Sequence, residues 1–257
     1  MIGGRDRLKV LDVEVTAVHE RRMAEVLSGL IAAGGRRTVV GHNLHSCYLY
    51  HTVPEFKALY DSADVVLLDG APVYALWKRQ GPADASDSGY RVGSTDWIKH
   101  LGSVTGLDRV AVVGTTGPSN ALACRKLETI LPGAKVHGWA GENWAPEREN
   151  SVVEELHAFA PNLVLVGLGM PLQESFLWQR REDLPEAVYG AVGGALDQIS
   201  GQQRLAPRWL GRLGFEWLWR LLLSPHRVFG RVFIEPWKLA AVLAGRKLRS
   251  RKMGASQ

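Results

Sequence analysis

The chain has 257 residues, 46% of them hydrophobic and 22% charged, which suits a globular protein with one large core and excludes a disordered or fibrous chain. Its two cysteines, Cys47 and Cys124, are too few and too far apart for a disulfide framework or a zinc site, and they read as small buried residues in a reducing compartment. The formal net charge of +5 is unevenly spread: residues 203–257 hold 12 Lys and Arg against two acids (+10), and residues 1–202 hold 19 against 24 (−5).

The start, Met1-Ile2-Gly3-Gly4-Arg5-Asp6, lacks the apolar stretch of a secretory signal, and no run approaches the ~18 apolar residues of a membrane span. Apolar runs predict strands at Thr38–Gly41, Val65–Leu68, Val110–Val113, Lys135–His137, Leu163–Val166 and Tyr189–Val192. Between them, periodicity predicts helices near Val53–Ser62, Ser94–Leu101, Ser119–Ile130, Ser151–Phe159 and Gln173–Arg181. This alternation implies an α/β fold: a mostly parallel, Rossmann-like sheet with helices on both faces. Gln80–Gly89 is rich in Gly, Ala, Ser, Asp and Pro and reads as a mobile loop.

The texture changes after Pro207. Arg208, Arg212, Glu216 and Arg220 recur every four residues beside Leu210, Leu213, Trp217 and Leu221, the pattern of an amphipathic helix. Ser224-Pro225 breaks it. A second segment carries Arg227 and Arg231 and runs to Pro236, and a third spans Trp237–Leu248. The chain therefore divides into a core, 1–202, and a basic helical appendage, 203–257. Four of the nine tryptophans, Trp209, Trp217, Trp219 and Trp237, lie in the appendage. Aromatic and basic residues suit nucleic acid, but Leu beside Trp favours an anionic membrane surface.

Chemistry in an open parallel sheet gathers at the carboxyl ends of the strands. Asp69 leaves the strand Val65–Leu68, where it can serve as a general base or, with Gly70, simply make a turn; spacing alone favours the turn. Asn43, after Thr38–Gly41, can bind a sugar hydroxyl or cap the next helix. His42 and His45 beside it read as surface or supporting groups rather than metal ligands. The loops at Gly114-Thr115-Thr116-Gly117 and Gly138-Trp139-Ala140-Gly141 could hold a phosphate on backbone N–H groups. Neither is a dinucleotide or Walker fingerprint, which disfavours an NAD(P) oxidoreductase. Val166-Gly167-Leu168-Gly169-Met170-Pro171-Leu172-Gln173-Glu174 runs from a buried strand into a turn and presents a polar pair. No Asp-x-Asp occurs, so cations such as arginine would neutralise a departing pyrophosphate.

Several of these segments together resemble the WecG/TagA/CpsF glycosyltransferases. The matching pieces occur in order: Gly41–Ser46, Ala63–Gly70, Arg91-Val92-Gly93-Ser94-Thr95-Asp96, the Gly114 loop, Val166–Glu174, Val192-Gly193-Gly194-Ala195-Leu196-Asp197 with Gly201, Arg204–Trp209, Gly214–Leu221, and Ser224-Pro225-His226-Arg227. The resemblance implies inverting, metal-independent transfer from a UDP-sugar to a polyprenyl-pyrophosphate-linked saccharide in cell-surface polysaccharide synthesis, with no cofactor and no nucleic-acid partner. It implies a cytoplasmic enzyme held peripherally on the inner membrane face. By resemblance, Asp69 is the base and Asn43 and Gln173 position substrate. Arg91, Gly114, Gly141, Gly167, Gly169, Pro171, Glu174 and Asp197 belong to the substrate pocket, and Arg220, Arg227 and Arg231 close over the pyrophosphate. The sequence departs from the family pattern at Gly41, where a Thr is common, at Leu196 in place of Phe, and near Gly230, where Arg231 stands one residue out of register. The donated sugar and the acceptor are left undetermined, as is a homo-oligomer. A non-catalytic nucleotide-binding module that docks through its tail is the competing class.

Overall fold

The computed structural model describes residues 4–81, 87–203, 218–219 and 229–254, with the side chains of 231 and 249–254 excepted. A hairpin of β1 (Arg5–Leu8) and β2 (Val13–Thr16) precedes helix α1 (Met23–Ala33). Then come β3 (Arg36–His42), α2 (Leu44–Thr52), α3 (Pro54–Ser62), β4 (Val65–Leu68), α4 (Ala71–Arg79) and α5 (Ser94–Ile98). β5 (Arg109–Gly114), α6 (Gly117–Ile130), β6 (Lys135–Trp139) and α7 (Pro146–Phe159) follow. The core ends with β7 (Leu163–Gly167), α8 (Leu172–Gln179), β8 (Ala187–Ala191) and α9 (Ala195–Ser200). A π-helical stretch, Gly230–Ile234, leads into the last helix, α10 (Glu235–Gly254).

Six strands form one parallel sheet in the order β4-β3-β8-β7-β5-β6. All six expected strands are present: β4, β5 and β7 are covered on both faces and read as continuous hydrophobicity, whereas the edge strand β6 leaves Lys135 and His137 exposed. Successive residues alternate between two cores. Val39, Val65, Leu67, Val110, Val112, Leu163 and Leu165 face α1, α5, α6 and α9. Val40, Val66, Leu68, Ala111, Val113, Val164 and Val166 face α2, α3, α4, α7 and α8. Proline sits in the first turn of α3, α4, α6 and α7, where its missing N–H costs nothing.

From β3 the chain steps outward to β4, and from β5 it steps outward the other way to β6. The loops leaving β3 and β5 thus run apart, and a crevice opens above the carboxyl ends of β8 and β7 between them.

The structure amends the sequence reading in several places. The hairpin and helices α1, α2, α4 and α9 were not among the expected elements. Of the two expectations for His42, surface or supporting group, its 1% exposure rules out the first. Pro236 begins a helix instead of ending one. Within the appendage, α10 packs on the core: Leu239, 3% exposed, and Leu243 join the cluster formed by the hairpin, α2 and the sheet. His45 Nδ1 meets Glu235 Oε2 at 2.6 Å, and Arg246 Nη1 donates to His51 Nδ1 at 2.7 Å. Five residues of the loop read as mobile (82–86), and the helix expected after Pro207 except Leu218 and Trp219, lie outside the described residues.

Candidate active site

The crevice holds a cavity of about 630 Å³, of a size that suits a nucleotide-sugar. Asn43, Asp69, Arg91, Gln173, Glu174 and Asp197 all line it, as do Gly141, Gly167 and Gly169. Residues more than a hundred positions apart in sequence thus converge at one edge of the sheet.

Asn43 takes one of the positions its sequence context offered, that of a helix cap, and it also lines the cavity. Its Oδ1 accepts from Ser46 N at 3.0 Å while Ser46 Oγ accepts from Asn43 N at 2.8 Å, a capping box that starts α2. With Oδ1 so occupied, Nδ2 turns toward the sheet and donates to Asp69 Oδ2 at 3.2 Å. His42 supports this cap through a 3.1 Å contact between Nδ1 and Ser46 Oγ. Burial pushes the His42 imidazole down to about 3, so it is a neutral hydrogen-bonding group at ordinary pH.

Asp69 sits in a tight seat. Its N–H donates to His42 O at 2.9 Å. A Cβ on Gly41 would lie 3.2 Å from Asp69 Cβ, and one on Gly93 would lie 3.0 Å from Asp69 Oδ1. Glycine at both places lets the carboxylate stand between two strand-end loops. Gly70 follows with φ +85°, the left-handed conformation that turns the chain into α4. The turn thus leaves the half-buried carboxylate on the cavity wall.

Gln173 is buried at 2% exposure. Its Oε1 accepts from Gly169 N at 3.2 Å and Gly193 N at 3.1 Å, tying the turn after β7 to the turn after β8. Its Nε2 donates to Glu174 Oε1 at 2.8 Å. It therefore shapes the cavity wall from within. Gly114 and Pro171 do not line the cavity. Gly114, at φ +121°, is where β5 approaches β7 so closely that a Cβ would fall 2.4 Å from the Gly167 carbonyl carbon. Pro171 lies just before α8, after a cis Met170–Pro171 bond.

The α6 N-terminus differs from the expected open phosphate cradle. Gly117 N donates to Glu142 Oε2 at 3.0 Å, Pro118 has no N–H, and Ser119 N donates to Thr116 Oγ1 at 3.4 Å. A phosphate would have to displace Glu142. Asp197 Oδ1 accepts from Ser119 Oγ at 2.7 Å and from Thr115 Oγ1, so it anchors the loop after β5. Sequence reading missed Tyr60, which lines the cavity and donates from its hydroxyl to Gly41 O at 3.0 Å. Nothing in its helical periodicity distinguishes it from a core aromatic such as Phe56. Arg220 and Arg227 lie outside the described residues. The backbone of Arg231 lies in the π-helical stretch, and its side chain is likewise outside them. Among the described residues, no three His, Cys, Asp or Glu side chains stand close enough together to hold a metal ion.

Residues 8–253 match the family described as glycosyl transferase WecG/TagA/CpsF. The chain belongs to this family. One relative of this glycosyltransferase, from Bacillus spizizenii (strain ATCC 23059 / NRRL B-14472 / W23), is 31% identical over 191 residues, covering 74% of this chain and 72% of the relative. It is named as an N-acetylglucosaminyldiphosphoundecaprenol N-acetyl-beta-D-mannosaminyltransferase. The matched span extends through α10, so the family reaches past the sheet into the appendage.

Proposed function

We propose that this glycosyltransferase moves a sugar from a UDP-sugar to the hydroxyl of an N-acetylglucosaminyl-diphosphate polyprenol, with inversion at the anomeric carbon. The observation that carries this reading is the carboxylate of Asp69, oriented by Asn43 Nδ2 at 3.2 Å, at the mouth of the carboxyl edge of the sheet. In the transfer, Asp69 takes the proton of the acceptor hydroxyl. The hydroxyl oxygen attacks the anomeric carbon from the face opposite the leaving group. The bond from that carbon to the diphosphate oxygen breaks, and the electron pair departs with UDP. Arg91, on the same wall, and the tail residues Arg220, Arg227 and Arg231 suit the charge that builds on the diphosphate.

The acceptor assignment rests on the relative's name and on the tail. Phe229, Phe233, Ile234 and Trp237 are 54%, 43%, 46% and 77% exposed around the start of α10, on a segment whose opposite face buries Leu239. An exposed apolar edge beside Lys238, at the start of a basic helix, fits an anionic bilayer surface, where a polyprenol-linked acceptor resides. No described helix is long and apolar enough to cross a membrane, so contact would be peripheral. Core and appendage would thus act as catalytic body and membrane-docking element.

The test is a panel of UDP-sugars incubated with N-acetylglucosaminyl-diphosphate polyprenol in anionic vesicles, read by product mass. A lipid product heavier by one sugar, formed from one donor, is expected. Absence of product from every donor contradicts the proposal.

A further inference from the structure

Glu174 lines the cavity yet is 1% exposed, and it forms no ion pair among the described residues. Its two oxygens have different surroundings, and the difference is dictated from a distance. Gln173 Oε1 faces two backbone N–H donors, those of Gly169 and Gly193. The amide can satisfy both only with its oxygen on that side, which turns Nε2 toward Glu174. Glu174 Oε1 is therefore an acceptor, and a proton on the carboxyl group belongs on Oε2. Oε2 has no hydrogen-bond partner among the described residues. A buried polar atom left unpaired in a residue of a cavity wall calls for a partner, and a ligand of that cavity can supply one.

We propose that Glu174 works as a neutral carboxylic acid whose Oε2–H donates a hydrogen bond to the acetamido carbonyl of an N-acetylhexosamine substrate, making it a specificity-determining residue. This rests on the cavity being the glycosyl-transfer site. The chemistry favours that partner: an acetamido oxygen is a strong acceptor with no proton to give, so it complements an acid and repels a carboxylate. A site that holds its own donor ready for such an oxygen leaves that donor unpaired when the group is missing, and discriminates accordingly. The titratable groups around Glu174 support the neutral form. Tyr60 from α3 is held protonated by burial, with Glu174, Cys47 and Asp69 adding to the effect. Cys47 from α2 is pushed up to about 12 by burial, and His42 from β3 is neutral. Burial raises Glu174 itself to about 7. Raising the pH through that range removes the donor.

The test compares Glu174→Gln with Glu174→Met in the full chain. An amide reproduces a neutral acid, one oxygen accepting from Gln173 and one N–H donating. A thioether fills the space and donates nothing. Glu174→Gln is expected to keep kcat/KM within about threefold at pH 6.5 and to lose the decline that the parent enzyme shows above about pH 7. Glu174→Met is expected to fold, by its melting curve, and to raise KM by about tenfold or more. Two substrate pairs complete the test: UDP-N-acetylmannosamine against UDP-mannose, and N-acetylglucosaminyl- against glucosyl-diphosphate polyprenol. Glu174→Met should collapse the parent's preference for the acetamido member of one pair. Survival of both preferences overturns the inference, as does a Glu174→Gln variant as impaired as Glu174→Met. If Glu174→Met does not fold, the pH profiles of parent and Glu174→Gln still decide: identical alkaline declines overturn it. A site that is wrong altogether gives a different result, full activity after substitution of Asp69.

Discussion

Asn43, Asp69, Gln173 and Glu174 show how a polar site is kept in order beside two apolar cores. Each has one atom committed to the backbone or a neighbour and another directed elsewhere: Asn43 caps α2 and orients Asp69, while Gln173 joins two turns and orients Glu174. The Glu174 carboxyl carries a stability cost that can be measured. Its pKa rises from an ordinary 4.5 to about 7 on folding. The neutral form is preferred in the folded state, so Glu174 contributes its full stability below pH 4.5 and loses it as pH rises through about 7. The shift corresponds to about 3 kcal/mol. Urea unfolding of Glu174→Gln and the parent at pH 4.5 and pH 8 should therefore show the variant gaining on the parent with rising pH. A pH-independent difference would mean that the carboxyl does not change protonation state on folding.

At the level of elements, the turn after β7 and the loop after β5 depend on backbones that nearly touch. Gly114 and Gly167 are register partners in adjacent strands, and there is no space for a side chain at Gly114. Its φ of +121° adds backbone strain for any residue with a Cβ. Gly114→Ala should cost about 3 kcal/mol or more, because the obstruction is backbone and cannot rotate aside. Thermal denaturation measures this, and an unchanged Tm would refute the close approach. The sequence showed this glycine only as part of a phosphate-loop pattern. Its contact lies 53 residues downstream in Gly167, beyond the reach of local spacing. The same limit explains the other omissions. β1 and β2 are four-residue strands whose partners are each other, and α2 interleaves Tyr, His and Cys, so its apolar face is poorly marked. The inner strands β5 and β7, and β4, were legible because burial on both faces leaves an unbroken apolar run.

For the molecule as a whole, the acidic body and basic tail differ in charge, and the described part of the tail packs on the body. α10 returns to the core, burying Leu239 among residues of the hairpin and α2, and α2 is the helix whose cap holds Asn43. The exposed apolar edge of α10 and the cavity residue Asn43 are therefore two sides of one packed layer. Leu239→Ala should destabilise the protein by about 2–5 kcal/mol, seen as a lower denaturation midpoint of the full chain. A surface appendage would instead lose almost nothing. In the site, the strand-end residues Asn43, Asp69 and Gln173 were readable because a parallel sheet delivers them to one edge. The engaged donors at the start of α6, the burial of His42 and the unpaired oxygen of Glu174 were not, since each depends on a neighbour brought close only by the fold.

The central claim is that Asp69 accepts the proton of the attacking hydroxyl. It is tested most directly by the turnover of Asp69→Asn, an isosteric change that keeps a hydrogen-bonding group beside Asn43, with the donor and lipid acceptor identified by product mass. A folded variant with turnover lower by about 10²- to 10⁴-fold is predicted. Turnover equal to that of the parent would contradict the account.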